Sequence, residues 1–271
     1  MPELPEVETT RRGVEPCLVG QRVERVVVRD ARLRWRVPRA LVDELPGQRI
    51  HEVTRRAKYL LLRADTGTVI VHLGMSGRLR VTRAVDPPGK FDHVDIVLAN
   101  GECLRLHDPR RFGSVLWTTA EPSAHKLLID LGPEPFETRF SGKYLHEITR
   151  RRTRAIRDVL LDSAIVGGVG NIYANEALFR AGIRPMRPAG RLSAEEATRL
   201  TQAVRATLKR AIRAGGTTLR DYRASDGSPG YFQLSLSVYG RAGEPCRACR
   251  TPIRLHRLGT RSAFYCRSCQ R

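Results

Sequence analysis

The 271-residue sequence has no apolar run approaching the roughly 18 residues that span a bilayer, which excludes a transmembrane helix. Its first residues are acidic where a secretory signal would carry lysines and then a greasy stretch. Export is therefore not expected, and the cytoplasm is the expected compartment. There is no long internal repeat and no low-complexity tract. Lysine is scarce as well: most of the 48 Lys+Arg residues are arginine, and against 28 Asp+Glu they give a formal charge of +20 and a pI near 10.8. Arginine pairs with phosphate bidentately and stacks on bases, which an ammonium does not. Such a surface suits nucleic acid. A ribosomal or architectural protein would carry the same charge, so charge sets the class of partner and not the reaction.

The length suggests two domains. Residues 22–119 read mostly as strands: RVERVVVRD, KYLLLRAD, TVIVHLGM and HVDIVLANGECLRL are rich in Val, Ile and Leu, with Asn100-Gly101 as a hairpin signal. Short strands broken by Gly and Pro predict an antiparallel sandwich or barrel. LGPEPFETRFSG (131–142) interrupts this pattern and is the expected interdomain linker. Beyond it the period becomes helical: Leu145, Ile148, Ile156, Val159 and Leu160, then a stripe of Leu200, Val204, Leu208, Ala211 and Ile212. Ser193 and Glu196 form a capping box ahead of the stripe, and Gly215-Gly216 closes it. The opening MPELPEVETTRRGVE reads as a helix start with Pro and Glu in its first turn and Gly13 near its end.

Cysteine spacing is the strongest local signal. Cys246-x2-Cys249 and Cys266-x2-Cys269, sixteen residues apart, match a four-thiolate zinc pattern. Four protein ligands leave no open position, so one zinc ion per chain would be structural. Two disulfides are the alternative, disfavoured in a cytosolic chain. Cys17 and Cys103 are expected to be buried as small hydrophobes. Arg254, Arg257 and Arg261 lie between the pairs, on a hairpin suited to a phosphate backbone. VGGVGNIYANEALF (166–179) puts glycines and Asn171 at a helix start, where backbone amides can face an anion or the turn can serve packing alone. HDPRRFG (107–113) offers a cation and an apolar wedge on one loop, or a salt-bridged turn over a core phenylalanine. HLGMSG (72–77) places Met75 on a glycine-flanked turn, where a core methionine is the ordinary alternative.

These stretches, with PELPEVETTRRG, RRAKYLLL, DHVD, LGPEP, GGTTLRD, SDGSPGYFQ and VYGRAGEPC, run in order from residue 2 to residue 270. Together they resemble the bacterial formamidopyrimidine-DNA glycosylases, which act on 8-oxoguanine and ring-opened purines. The resemblance implies an α+β fold. Residues 1–130 would be a catalytic antiparallel β-sandwich with flanking helices, and 131–142 the linker. Residues 143–240 would be a helix-two-turn-helix domain, and 241–271 a β-hairpin zinc finger. It implies a monomeric, nucleoid-associated enzyme of base-excision repair that works on duplex DNA. Pro2, exposed when Met1 is removed, would be the nucleophile that forms an iminium with the sugar, and Glu3 the neighbouring acid/base. Lys58 would contact phosphate and assist β-elimination; Arg261 would serve δ-elimination. Met75, Arg110 and Phe112 would fill the gap left by the flipped base, with Arg110 facing the orphaned cytosine. Asn171 would clamp phosphate, and the stretch 217–230 would cover the extruded purine. Phe91 stands where the family commonly has a DNA-contacting histidine, with His93 the nearby candidate contact. Arg157 replaces the usual lysine, keeping charge but changing reach, and Arg152 matches a basic DNA contact by charge type. An endonuclease VIII-type glycosylase for oxidised pyrimidines and a catalytically silent DNA-binding paralogue are the alternatives.

Overall fold

The repeated Pro-Glu does open a helix. In the computed structural model, which describes residues 1–217 and 235–271, α1 spans Leu4–Leu18 with Pro5 in its first turn. Glu3 is the N-cap, and its amide donates to Glu6 Oε2 at 2.8 Å. The helix does not end near Gly13: it continues through Gly13 and Pro16 to Leu18. Val14 and Leu18 are fully buried on that last stretch. Each such burial is worth roughly 1.5–3 kcal/mol, against about 1 kcal/mol for a glycine inside a helix. Packing overrides local propensity.

Next come β1 (Val23–Val28), α2 (Arg39–Glu44), β2 (Glu52–Arg56), β3 (Tyr59–Arg63), β4 (Thr68–His72) and β5 (Arg78–Arg83), followed by β6 (Asp92–Leu98), β7 (Glu102–His107) and β8 (Ser114–Thr118). They pair antiparallel in two sheets, β1-β6-β7-β5 and β2-β3-β4-β8. Asn100 and Gly101 make the β6–β7 turn, with Gly101 at φ 85°. Val26, Ile96, Leu98 and Leu104 of one sheet share a buried cluster with Leu60, Leu62, Val69 and Val71 of the other. This is the expected sandwich. The second face of β6 is buried by charge instead: Arg105 holds both Asp95 oxygens at 2.9 Å, and Arg29 reaches the same carboxylate at 2.5 Å.

Among the described residues, the rest of the chain forms α3 (Gly142–Thr149), α4 (Ile156–Leu160), α5 (Asn171–Ala181) and α6 (Ala194–Arg213), then a hairpin of β9 (Arg254–Leu258) and β10 (Arg261–Tyr265). The Ser193–Glu196 box caps α6: the Glu196 amide donates to Ser193 Oγ at 3.1 Å and the Ser193 amide to Glu196 Oε2 at 2.9 Å. Leu200, Val204, Leu208 and Ala211 are buried along α6, and Ile212 partly so. The stretch 131–142 packs on the helical unit. Phe140 is fully buried, and Arg205 of α6 donates to the carbonyls of Pro135, Glu137 and Phe140. Two compact units result, Met1–Ile129 with Ala214–Gln233, and Asp130–Arg213 with Leu234–Arg271. Cys103 is buried as expected, whereas Cys17 is only half-buried. Among the described residues, no helix is long and apolar enough to cross a membrane.

Candidate active site and nucleic-acid interface

At the N-terminus Pro2 and Glu3 are both buried at the head of α1, and Met1 is exposed. Glu6, itself buried, links two strands of chain here: Oε2 accepts the Glu3 amide and Oε1 accepts the Thr217 amide at 2.8 Å. Gly216 precedes that contact at φ 81°, where a Cβ would stand 3.0 Å from Glu6 Oε1. Glycine meets both demands, the left-handed backbone and the close approach. Lys58 sits half-buried on the tight turn between β2 and β3, next to Ala57 at φ 51°. Its charge reaches His72. Burial first, then Lys58 and Arg34, push the His72 imidazole down to about 4. Neutral His72 accepts the Gly74 amide on Nδ1 at 3.0 Å and packs at a tilt against the Tyr59 ring.

The HLGMSG and DPRRFG turns are one construction. Gly74 lies so close to the Phe112 carbonyl carbon that a Cβ would sit 2.3 Å from it, and its φ of 62° favours glycine again. Asp108, fully buried, joins the two turns by accepting Ser76 Oγ at 3.0 Å and the Gly113 amide at 2.7 Å. Met75, Arg110 and Phe112 project from this support and are exposed. The Arg110 guanidinium lies over the Phe112 ring, 5.0 Å from its centroid. Arg111 turns away at φ 57° to pair with Asp30 at 2.8 Å. His93, expected to touch DNA, is instead buried, with Nε2 2.9 Å from the Asp108 carbonyl oxygen. It supports the loop from below. Phe91 packs edge-on against His107 under Lys90.

In the helical unit, Asn171 is the first residue of α5, and its side-chain amide donates to the Ser262 carbonyl at 3.0 Å. Asn175, one turn on, accepts the Phe264 amide at 2.8 Å. Arg152 is half-buried and donates to the Ile148 carbonyl at the end of α3. Arg157 is buried. Arg261 is exposed beside the hairpin turn. Cys246, Cys249, Cys266 and Cys269 place their sulfurs all within 4.8 Å of one another, unbridged by disulfides. Cys249 and Cys266 are 3.4 Å apart, Cys246 and Cys269 3.9 Å. A tetrahedral ion with about 2.3 Å bonds to sulfur requires separations of about 3.8 Å, so the four residues fit a metal. The stretch 217–230, expected over the extruded base, lies outside the described residues from position 218 on.

Three supporting residues were not foreseen from the sequence: Asp108, Asn175 and Glu176. Glu176 is buried and accepts the amides of Ser237, Val238 and Tyr239 at 2.8–2.9 Å, fixing the chain that leads into the hairpin. Asn175 lies four residues after Asn171, so both face the same side of α5, and that spacing was the available signal.

Exposed Arg110, Met75 and Phe112 on braced loops, with a basic hairpin beside four clustered cysteines, define the class: a nucleic-acid-binding protein. The formamidopyrimidine-DNA glycosylase N-terminal domain matches residues 1–115, and the H2TH domain of the same glycosylase matches residues 131–223. A relative named formamidopyrimidine-DNA glycosylase, from Alkalilimnicola ehrlichii, is 58% identical over the whole of both chains. The crystal structure of the MutM (Fpg) protein from Thermus thermophilus is 42% identical, with a TM-score of 0.88 over 99% of this chain and 98% of that one. A Lactococcus lactis Fpg mutant in complex with Fapy-dG containing DNA is 33% identical, with a TM-score of 0.92 over 99% of both. The chain belongs to the formamidopyrimidine-DNA glycosylase family.

Proposed function

We propose that the chain excises oxidised purines, 8-oxoguanine and formamidopyrimidines, from duplex DNA and then cleaves the strand as an abasic-site lyase. The full-length identity to a relative of that name favours the purine enzyme over the pyrimidine-directed alternative. The observation that carries the reading is the placement of Pro2 beside buried Glu3 at the capped head of α1. Freed of Met1, Pro2 is a secondary amine. An α-amino group titrates near ~7.7–8.0 against ~10.4 for lysine, so far more of it is neutral at physiological pH. Its lone pair attacks C1′ as the bond to the base breaks; the base leaves with the electron pair and takes up a proton, and sugar opening gives the iminium. Glu3 exchanges the sugar protons. Lys58 then assists β-elimination and Arg261 δ-elimination, each also holding phosphate.

The remaining roles follow from position. Met75 and Phe112 fill the gap in the stack, and Arg110 faces the orphaned cytosine. Extrusion of the lesion costs a few kcal/mol, offset by wedge and phosphate contacts. Asn171 and Arg152 are the DNA contacts of the helical unit, and His93 serves the interface through Asp108. One structural zinc ion per chain on Cys246, Cys249, Cys266 and Cys269 holds the hairpin. The active species is a cytoplasmic monomer working on nucleoid DNA. Borohydride trapping on an 8-oxoguanine duplex tests the core of the reading. Wild type should yield one covalent protein–DNA adduct; Pro2→Gly and a form retaining Met1 should yield little. Equal adduct from either would assign the nucleophile to another amine.

A further inference from the structure

The outer half of the β9–β10 hairpin has no core beneath it. Arg254, Leu255, His256 and Arg257 are all exposed, and the buried residues Ile253, Ala263 and Phe264 lie toward its base. Leu258 and Arg261 form the last pair of the ladder, closed by Gly259 at φ 58° and Thr260. Apolar packing cannot fix this turn, yet the turn sets where the Arg261 side chain points.

Arg157 of α4 fills that role. Its side chain is 1% exposed, and its Nη1 donates to the Arg261 carbonyl at 3.1 Å while Nη2 donates to the Leu258 carbonyl at 3.2 Å. One guanidinium thus grips both residues that flank the turn. Its remaining edge bonds Asp158 Oδ1 through Nε at 3.0 Å and Nη2 at 2.6 Å. The charge is neutralised locally, on a side chain with almost no surface left to offer a ligand. A planar fork with five donors spans two carbonyls and a carboxylate at once; a lysine ammonium concentrates its donors on one atom. From this geometry we infer that Arg157 is a positioning residue that sets Arg261 by clamping the hairpin turn, and not itself a contact to DNA. The inference rests on the reading of Arg261 as the group serving δ-elimination.

The test compares Arg157→Met, Arg157→Lys, Arg261→Ala and the Arg157→Met/Arg261→Ala double variant in full-length protein on a duplex carrying an abasic site. The readouts are the ratio of δ- to β-elimination product and the yield of borohydride-trapped adduct. The trapped yield, which reports the N-terminal amine, should fall no further in Arg157→Met or Arg157→Lys than in Arg261→Ala, whose loss includes the phosphate contact of Arg261. The δ/β ratio should fall about tenfold in Arg261→Ala and in Arg157→Met, and no further in the double variant. Arg157→Lys should lose about threefold, and it carries the comparison if the methionine variant fails to fold. Multiplication of the two losses in the double variant would mean that Arg157 acts on DNA directly, and an unchanged ratio in Arg157→Lys would mean that the fork is not needed. Either overturns the inference alone. An unchanged ratio in Arg261→Ala would overturn the assignment of Arg261 and the inference with it.

Discussion

The loops that carry Met75, Arg110 and Phe112 and the hairpin that carries Arg261 face the same physical problem: each must hold exposed side chains still. The loops hang from a sandwich whose buried cluster draws on both sheets, and one carboxylate, Asp108, ties them together at their base. The hairpin has only a small cluster of Val238, Ile253 and Phe264 around buried Cys246 and Cys266. Its four cysteines stand at metal-binding distance, and Glu176 and side chains from α4 and α5 reach its backbone. A domain with a large core can fix a functional loop with one polar tie. A module too small for a core needs a metal and several ties, because burial alone does not offset the entropy of ordering it.

The largest effect expected is that of removing the zinc proposed on the four cysteines. Structural zinc contributes about 10–16 kcal/mol in isolated fingers, far more than the hairpin's few apolar residues supply. Cys249→Ser, or chelation, should abolish hydrogen-exchange protection of the β9 and β10 amides and weaken duplex binding at least tenfold. The β6 and β7 amides should stay protected, since their core lies elsewhere. Elemental analysis finding no zinc in protein purified without chelator would break the comparison at its root.

The next effect belongs to the other side. Asp108→Ala would leave the Ser76 hydroxyl and the Gly113 amide without their buried acceptor. Each such orphan costs about 1–3 kcal/mol, so a loss of roughly 2–6 kcal/mol should appear in denaturant unfolding. Hairpin protection and metal content should not change. Excision should slow opposite every base, because both loops loosen together. A stability loss below about 1 kcal/mol would show that the sandwich fixes the loops without the tie.

How much of this was legible differs between the two regions for the same reason. The hairpin announced itself because metal ligation demands particular residues at particular spacings, and Cys246 through Cys269 have few other uses in that pattern. Asn100-Gly101 and Ser193–Glu196 were legible likewise, since turns and caps are local. β2 and β5 were harder: Arg55, Arg56, Arg78, Arg80 and Arg83 mask the apolar alternation, and pairing across the sheet makes them strands. The buried ties were least legible. Asp108 and Arg157 lie in arginine-rich stretches that read as surface, and only tertiary contact makes them internal. His93 misled for the complementary reason, as a histidine near the interface that turns inward.

A smaller effect concerns pH. His72 has its imidazole lowered from 6.5 to about 4, chiefly by burial. Below about pH 6.5 the unfolded chain takes up the proton and the folded chain does not, so stability falls as pH drops from 6.5 toward 4. Asp92 and Asp95 titrate low despite burial, held down by the Gly89 amide and His107 for Asp92 and by Arg29 and Arg105 for Asp95, so their contribution is lost only below about pH 4. His72→Asn keeps an acceptor for the Gly74 amide and removes the titration. The wild type should lose on the order of 1–2 kcal/mol more than this variant between pH 7.5 and 5, after discounting for the partly exposed ring. Parallel pH curves would show that His72 is solvated in the folded protein.

The smallest effect on stability should come with a clear effect on selectivity. Arg110 is exposed and touches the Phe112 ring, a contact worth about 0.5–1 kcal/mol at such a site. Arg110→Ala should therefore change unfolding by less than about 1 kcal/mol. If its guanidinium meets the O2 and N3 acceptors of an orphaned cytosine, it meets the donor edge of adenine poorly. One good bidentate contact discriminates by roughly 1–3 kcal/mol, about one to two powers of ten in rate. Single-turnover excision of 8-oxoguanine opposite cytosine and adenine should show that ratio collapsing in Arg110→Ala. Phe112→Ala should slow both reactions, because it removes the wedge, and it should also erode the ratio by two- to threefold, because the ring no longer holds the guanidinium in place. A cytosine-to-adenine ratio that survives in Arg110→Ala would make the arginine a phosphate contact. The loops would then be a wedge without a reader, and the hairpin and the loops would differ only in how they are held.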